Sequence, residues 1–453
     1  MTYREYAGEY TGQRLRTGVC YAWRLFVPSD AGDGPFALMV THDGLNEEQA
    51  RAALALAQAG EMPPCVVLGV SPGVMRPTLS GGTERNMRFN DYDMYGAGYV
   101  DFLVDELIPM LIGRFGLPVS PLPDMHMISG GSSGGISAWN GVWFRNDYFR
   151  RAYLSSPTFS AMARGNMAPV QMRLFETKPI RVFIDWSEDE PDDYFGSSYC
   201  AAMEGRLALE FANYDYQWRF HPGEGHCSRW GDEAFAKEVL RFLWDRWETE
   251  PVRARGLSRR AAELIDPDEP WTRAADRLPP GAPCAAAGGV YLIRDGAVVF
   301  EKEGTCTVAA DGLDAPTALA LSSDCWRLYI ADRSRACVYA ATVRADGALA
   351  DLKPLASLQT ATDPRFPGAF DLCVTEDDRV LAATELGVQC IRSFGLVDAI
   401  LPLPGNAVPE KLRLSGDILF AECRDAVYSR KMKVRAKPTG DGMTSPKHTS
   451  YYD

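Results

Sequence analysis

From Met125 to Trp139 the chain reads Met-His-Met-Ile-Ser-Gly-Gly-Ser-Ser-Gly-Gly-Ile-Ser-Ala-Trp, and few folds can use such a run. A strand-length apolar stretch enters glycines and serines and leaves as a helix. That is the setting of a nucleophile elbow, where small flanking residues permit a tight strand-to-helix turn that projects a hydroxyl out of the sheet. Two registers satisfy G-x-S-x-G: one makes Ser132 the nucleophile, the other Ser133. The alternative is a glycine-rich turn whose serines only cap the following helix.

The surroundings favour the elbow. Up to about residue 250, short apolar runs alternate with amphipathic stretches, the rhythm of an α/β domain built on a mostly parallel sheet. Strands are predicted over residues 22–27, 36–41, 65–70, 125–129, 151–155 and 180–185, with helices over 47–59, 99–115 and 234–247. The chain holds only five histidines, and His226 lies in a loop between a predicted strand at 217–220 and the last of these helices. In an α/β-hydrolase the base comes last in the order Ser, acid, His, on such a loop. The acid belongs between them, past a strand end. The run from Trp186 to Asp193 is crowded with carboxylates, from which Asp189 is the first choice and Asp192 the second. The oxyanion donors fall to the N–H of Leu45, in the loop after an early strand, and of Ser133. His42 in that loop is a poor second base on chain order, and His126 reads as core.

Composition narrows the class. With 453 residues, 46% hydrophobic and 24% charged, two domains are expected. Sixty acidic against 47 basic residues give a formal charge of -13, which disfavours nucleic acid or anionic lipid as partner. A charged N-terminus without an apolar run, no membrane-length apolar window, and eleven scattered cysteines without a CxxC pair lead to the expectation of a soluble, cytoplasmic protein with reduced thiols.

These readings divide the chain into a hydrolase domain at 1–249, a linker rich in Pro, Arg and acidic residues at 250–283, an all-β segment at 284–435 and a polar tail at 436–453. Asp295-Gly296 between two apolar runs predicts a hairpin.

Residues 10–247 resemble the esterase family that includes enterochelin esterases, esterase D and mycolyltransferases. The resemblance rests on Ser129-Gly130-Gly131-Ser132-Ser133-Gly134-Gly135, His42-Asp43-Gly44-Leu45 and Gly223-Glu224-Gly225-His226. It implies Ser132 as nucleophile, since one residue and then Gly-Gly follow the nucleophile in that family. It implies Leu45 as an oxyanion donor, and Asp189 as acid through a G-x-x-D pattern in which Trp186 replaces the glycine. Pro72-Gly73-Val74 and the run from Arg85 to Tyr92 resemble a subgroup fused to gluconolactonase-like segments. Arg85 would bind a substrate oxygen or pair with Asp91 or Asp93. Trp186 and Trp230, with Trp139, Trp143 and Phe144, are candidates to line a pocket.

The run from Asp311 to Ala320 followed by Leu328 to Asp332 is similar to blades of the gluconolactonase and senescence-marker family of calcium-dependent β-propellers. Thr317 stands where that family commonly has a metal-binding Asn, and Asp332 and Asp371 alone make a poor divalent site. The resemblance therefore implies neither a metal nor lactonase activity. At roughly 40 to 50 residues per blade, about 150 residues supply three or so blades. Such an incomplete propeller would expose edges, so two copies would pair as a homodimer or the segment would pack on its own hydrolase domain.

The expected activity is hydrolysis of a carboxylic ester, on an acylated carbohydrate or a plant phenolic ester, through an acyl-enzyme and without a cofactor. Two readings stay open: a noncatalytic glycan-binding or assembly protein, and an acyltransferase using the same three residues.

Overall fold

The computed structural model describes residues 2–29, 32–77, 81–274, 278–281 and 283–437. All but the first two residues of the expected tail, including His448, lie outside them. By contacts the chain forms two units, Met1–Arg173 with Thr177–Gly256, and Leu174–Glu176 with Leu257–Asp453.

The first unit is built on one ten-stranded sheet. Its parallel centre runs Asp215–Gly225, Arg181–Asp189, Arg151–Ser155, His126–Gly131, Ala37–His42 and Cys65–Val70 in spatial order. Val19–Ser29 joins antiparallel beyond Cys65–Val70, and Thr2–Thr11 pairs with it. Ala37–His42 and Cys65–Val70, in the middle of the sheet, are nearly continuous apolar runs because both faces of the sheet are covered there. Cys65–Val70 and Arg151–Ser155 are buried throughout. On one face the helices Glu47–Gln58 and Glu233–Leu243 share a core, with Ala50, Ala53, Leu56, Val239, Leu240 and Leu243 against Val67 and Met127. Asn46 and Asp232 cap these two helices with side-chain oxygens, which sets where each begins.

Among the described residues, the second unit holds four four-stranded antiparallel sheets, a four-bladed β-propeller arrangement. The expected Asp-Gly hairpin is present: Arg294 pairs with Ala297 across Asp295 (φ 51°) and Gly296 (φ 79°), the two left-handed residues that a tight primed turn requires. The count of three blades is corrected to four. Cys284–Ala310 and Asp371–Leu401 each complete a blade in fewer residues than the 40 to 50 assumed. The fourth sheet is completed from the other end of the unit, where Thr272–Arg273 pairs with Val427–Lys431. The innermost strands of all four sheets line one cavity of about 940 Å³. The half-propeller premise for a homodimer falls with the count.

Within the expected linker at 250–283, described residues pack into each unit. Val252 is buried and Arg255 pairs with Asp215 in the first unit, while the helix Arg259–Leu264 puts Ala261 and Leu264 into a core of the second. Leu174–Glu176, early in the sequence, belong to that second unit: Phe175 bridges Ile400, and both Glu176 oxygens accept from the buried Arg430, at 2.6 and 2.9 Å. Among the described residues no helix is long and apolar enough to cross a membrane. All eleven cysteines are free thiols.

Candidate active site

The strand His126–Gly131 ends at Ser132, and the helix Ser133–Phe144 begins directly after it. Ser132 has φ 56° and ψ -121°, a conformation unusual for a residue with a side chain and the one an elbow imposes. Glycine is needed beside it: a Cβ on Gly130 would lie 2.0 Å from the Gly134 carbonyl oxygen. Of the two sequence registers, the bend falls on Ser132, while Ser133 is the buried first residue of the helix. Its N–H stands in the first turn, where a helix offers no internal acceptor.

The loop bearing His226 reaches the same place. The Ser155 carbonyl oxygen accepts from Ser132 N at 2.9 Å and from Cys227 Sγ at 3.6 Å, so residues adjoining in sequence or identical to the two candidates converge on one atom. A Cβ on Gly131 would stand 3.2 Å from Cys227 Sγ and 3.5 Å from the Trp230 ring. Trp230 is half-buried, stacked on Tyr153, and its carbonyl oxygen accepts from Asn46 Nδ2 at 2.9 Å.

The carboxylate at His226 is Glu190, bound to Nδ1. Asp189 and Asp192, the two expected from sequence, are exposed and make no contact of this kind. Asp189 closes the strand with its side chain in solvent, whereas the Glu190 side chain is buried and its Oε1 accepts from Ser187 N at 3.0 Å and Ser156 Oγ at 2.5 Å. Burial alone would raise the Glu190 pKa, but hydrogen bonds from His226, Ser156 and Ser187 outweigh it and hold the group below its ordinary value. His226 is raised to about 10, first by its contact with the Cys227 thiol and then by Glu190. With Nδ1 committed to Glu190, Nε2 is the ring nitrogen left to exchange a proton.

The loop from His42 to Asn46 is set by backbone geometry. Asp43 (φ 58°) and Gly44 (φ 95°) turn the chain back so that Gly44 N donates to Val70 O at 3.0 Å. Leu45 then lies flat on Gly69, where a Cβ would come within 2.2 Å of its N and Cα. His42 is buried with both ring nitrogens unpartnered among the described residues, and burial pushes its pKa down to about 4, so it is a neutral core ring beside Tyr92. His126 is core as expected, its two nitrogens against the carbonyl oxygens of Tyr148 and Ser120.

Four of the residues expected to line a pocket or bind substrate are placed as follows. Trp186 is 3% exposed and stacked on Trp218, so it packs the sheet; Trp139 and Trp143 are buried as well. Arg85 is exposed on the two-residue strand Arg85–Asn86, and one of the two carboxylates expected to pair with it, Asp91, is taken by Arg16, Tyr21 and Gly73 N. The arginine at the loop from His42 to Asn46 is Arg88, which sequence reasoning passed over; it binds Asp43 through two hydrogen bonds of 2.8 and 2.9 Å. Its only signal was its place three residues beyond Arg85.

In the second unit, Asp332 and Asp371 serve the fold. Asp332 accepts from the N–H groups of Asp314, Ala315 and Ser334 and from Ser334 Oγ, and Asp371 accepts from Leu412 N and Arg413.

No family model and no curated protein matches this chain. Among solved structures the first half is similar to a ferulic acid esterase, with 17% identity and a TM-score of 0.41 over 54% of this chain and 99% of that one. It is similar also to the enterobactin esterase of Shigella flexneri, with 17% identity and a TM-score of 0.40 over 54% of this chain and 59% of that one. The second half is similar to a gluconolactonase of Xanthomonas campestris, with 24% identity and a TM-score of 0.26 over 30% of this chain and 44% of that one. The likeness is one of fold. The first unit is a mostly parallel sheet covered by helices, and the second is propeller-like.

Proposed function

We propose that the chain is a serine-dependent carboxylic ester hydrolase in which Ser132 attacks, His226 transfers the proton and Glu190 orients and stabilises the imidazolium. The observation that carries this reading is the meeting at the Ser155 carbonyl oxygen of Ser132, at positive φ, and of the loop whose imidazole is bound by a buried carboxylate.

In the reaction, Ser132 Oγ adds to the ester carbonyl while His226 Nε2 takes its proton. The Leu45 and Ser133 N–H groups face the oxygen that becomes negative. Collapse expels the alcohol, which leaves with the proton from Nε2, and water repeats the sequence to release the acid. A substrate class of acylated carbohydrate or plant phenolic ester is part of the proposal and rests on the sequence resemblance of the second half to sugar lactonases.

A fluorophosphonate probe followed by peptide mapping tests it. Adduct on Ser132, lost in Ser132→Ala and His226→Ala, is the expected result and justifies an ester panel. Folded protein that takes no adduct would turn the reading toward glycan binding on a hydrolase scaffold.

A further inference from the structure

Ser156 lies in no motif, yet it stands where the three parts of the candidate site join. It follows the strand Arg151–Ser155 and is 3% exposed. A hydroxyl carries one donor and two acceptor positions. Here the donor goes to Glu190 Oε1 at 2.5 Å, and one acceptor position takes the N–H of Cys227 at 3.2 Å. Cys227 adjoins His226 and itself has φ 54°. One oxygen therefore holds the carboxylate and the backbone that carries the imidazole bound to that carboxylate.

The peptide unit extends the connection. Ser156 N donates to Asp185 O at 2.7 Å, which ties it to the strand leading to Glu190, and the Ser155 carbonyl oxygen accepts from Ser132 N at 2.9 Å. Ser156 also has φ 43°, a conformation that glycine adopts at no steric cost and serine does not. Strained backbone of this kind persists where its surroundings hold it, and here the side chain's two hydrogen bonds are part of that hold.

We infer that Ser156 is a positioning residue that sets the spacing of Glu190 and the His226 loop about the nucleophile. The inference rests on the reading of Ser132, His226 and Glu190 as catalytic, and assigns Ser156 no contact with substrate. Without its hydroxyl, Glu190 keeps Ser187 N and His226 but loses one of its two donors on Oε1, and Cys227 N loses its acceptor. The imidazole then samples orientations away from Ser132.

The test compares Ser156→Ala and Ser156→Gly in the full chain. Both lack the hydroxyl, but glycine accepts the φ of 43° and stands in if the alanine variant fails to fold. Readouts are the rate of fluorophosphonate modification of Ser132, kcat and KM on p-nitrophenyl acetate against pH, and the far-downfield proton resonance of His226 Nδ1–H. Expected are a fall in kcat on the order of 10²-fold with KM little changed, slower labelling in step with it, a lower pH inflection and loss or upfield movement of the resonance in both variants. Wild-type labelling kinetics, inflection and resonance in the variants would overturn the inference alone. A fall in kcat with inflection and resonance unmoved would overturn it too, since the pair would then be intact. Wild-type protein that does not label would sink the catalytic reading and this inference together.

Discussion

His226 is bound through Nδ1 by Glu190, the residue next after Asp189, and the one-residue difference decides which carboxylate meets the ring. Asp189 still belongs to the strand and points to solvent; Glu190 has left it and reaches inward.

Glu190→Gln keeps size but removes the charge that, in the proposed reaction, stabilises the imidazolium. The expected fall in kcat is roughly 10²- to 10⁴-fold, against no change in Asp189→Asn and Asp192→Asn. Steady-state kinetics on a short-chain ester separates the three, and equal losses would contradict the assignment.

In the proposed reaction the base form of His226 makes the attack possible, and the group is raised to about 10. In the free enzyme kcat/KM is therefore expected to climb through the alkaline range toward that value. Cys227 is the first cause of the shift and Glu190 the second, so Cys227→Ala and Glu190→Gln should each lower the inflection toward the ordinary histidine range. An inflection unmoved by both changes would detach it from His226.

Gly130→Ala drives a methyl to within 2.0 Å of a backbone oxygen that cannot swing away. A loss of about 1–3 kcal/mol in denaturant unfolding, with a distorted elbow, is expected. Slow probe labelling should accompany it; full labelling at wild-type stability would mean the turn is more yielding than its geometry indicates.

Asp332 should behave as a structural carboxylate. Burial raises its pKa, but Ser334 and the N–H groups of Ala315 and Asp314 outweigh burial and hold it below the ordinary value. A group depressed on folding contributes stability above its unfolded pKa and loses it as pH falls through the folded one. Asp332→Asn should cost about 1–3 kcal/mol at neutral pH and flatten the acid limb of stability. Chelator should leave Tm unchanged; a chelator-sensitive Tm would return a metal to consideration.

Glu176→Ala strands the Arg430 guanidinium, whose side chain is 1% exposed. A buried charge left without its partner costs about 3–5 kcal/mol, read by chemical unfolding of the full chain. Arg430→Leu, which removes the buried charge itself, should cost less.

Local chemistry was legible where it is a matter of adjacent residues. The strand, the glycines and the helix around Ser132, the capped helices and the Asp295-Gly296 turn follow from backbone sterics and period, and these act over a few residues. The order Ser then His along the chain was readable for the same reason. Blade number was not, because Thr272–Arg273 completes a sheet whose other strands lie at the far end of the unit, and no local signal marks that pairing. Nor could spacing choose among Glu188, Asp189, Glu190 and Asp192. All four are acidic and close in sequence, and which one is buried against the imidazole depends on where a strand from one part of the chain ends relative to a loop from another. Trp186 and Arg88 teach the same distinction. An aromatic ring or a guanidinium is visible in any sequence, but whether it packs a core or borders a site is settled by the neighbours that tertiary contacts bring to it.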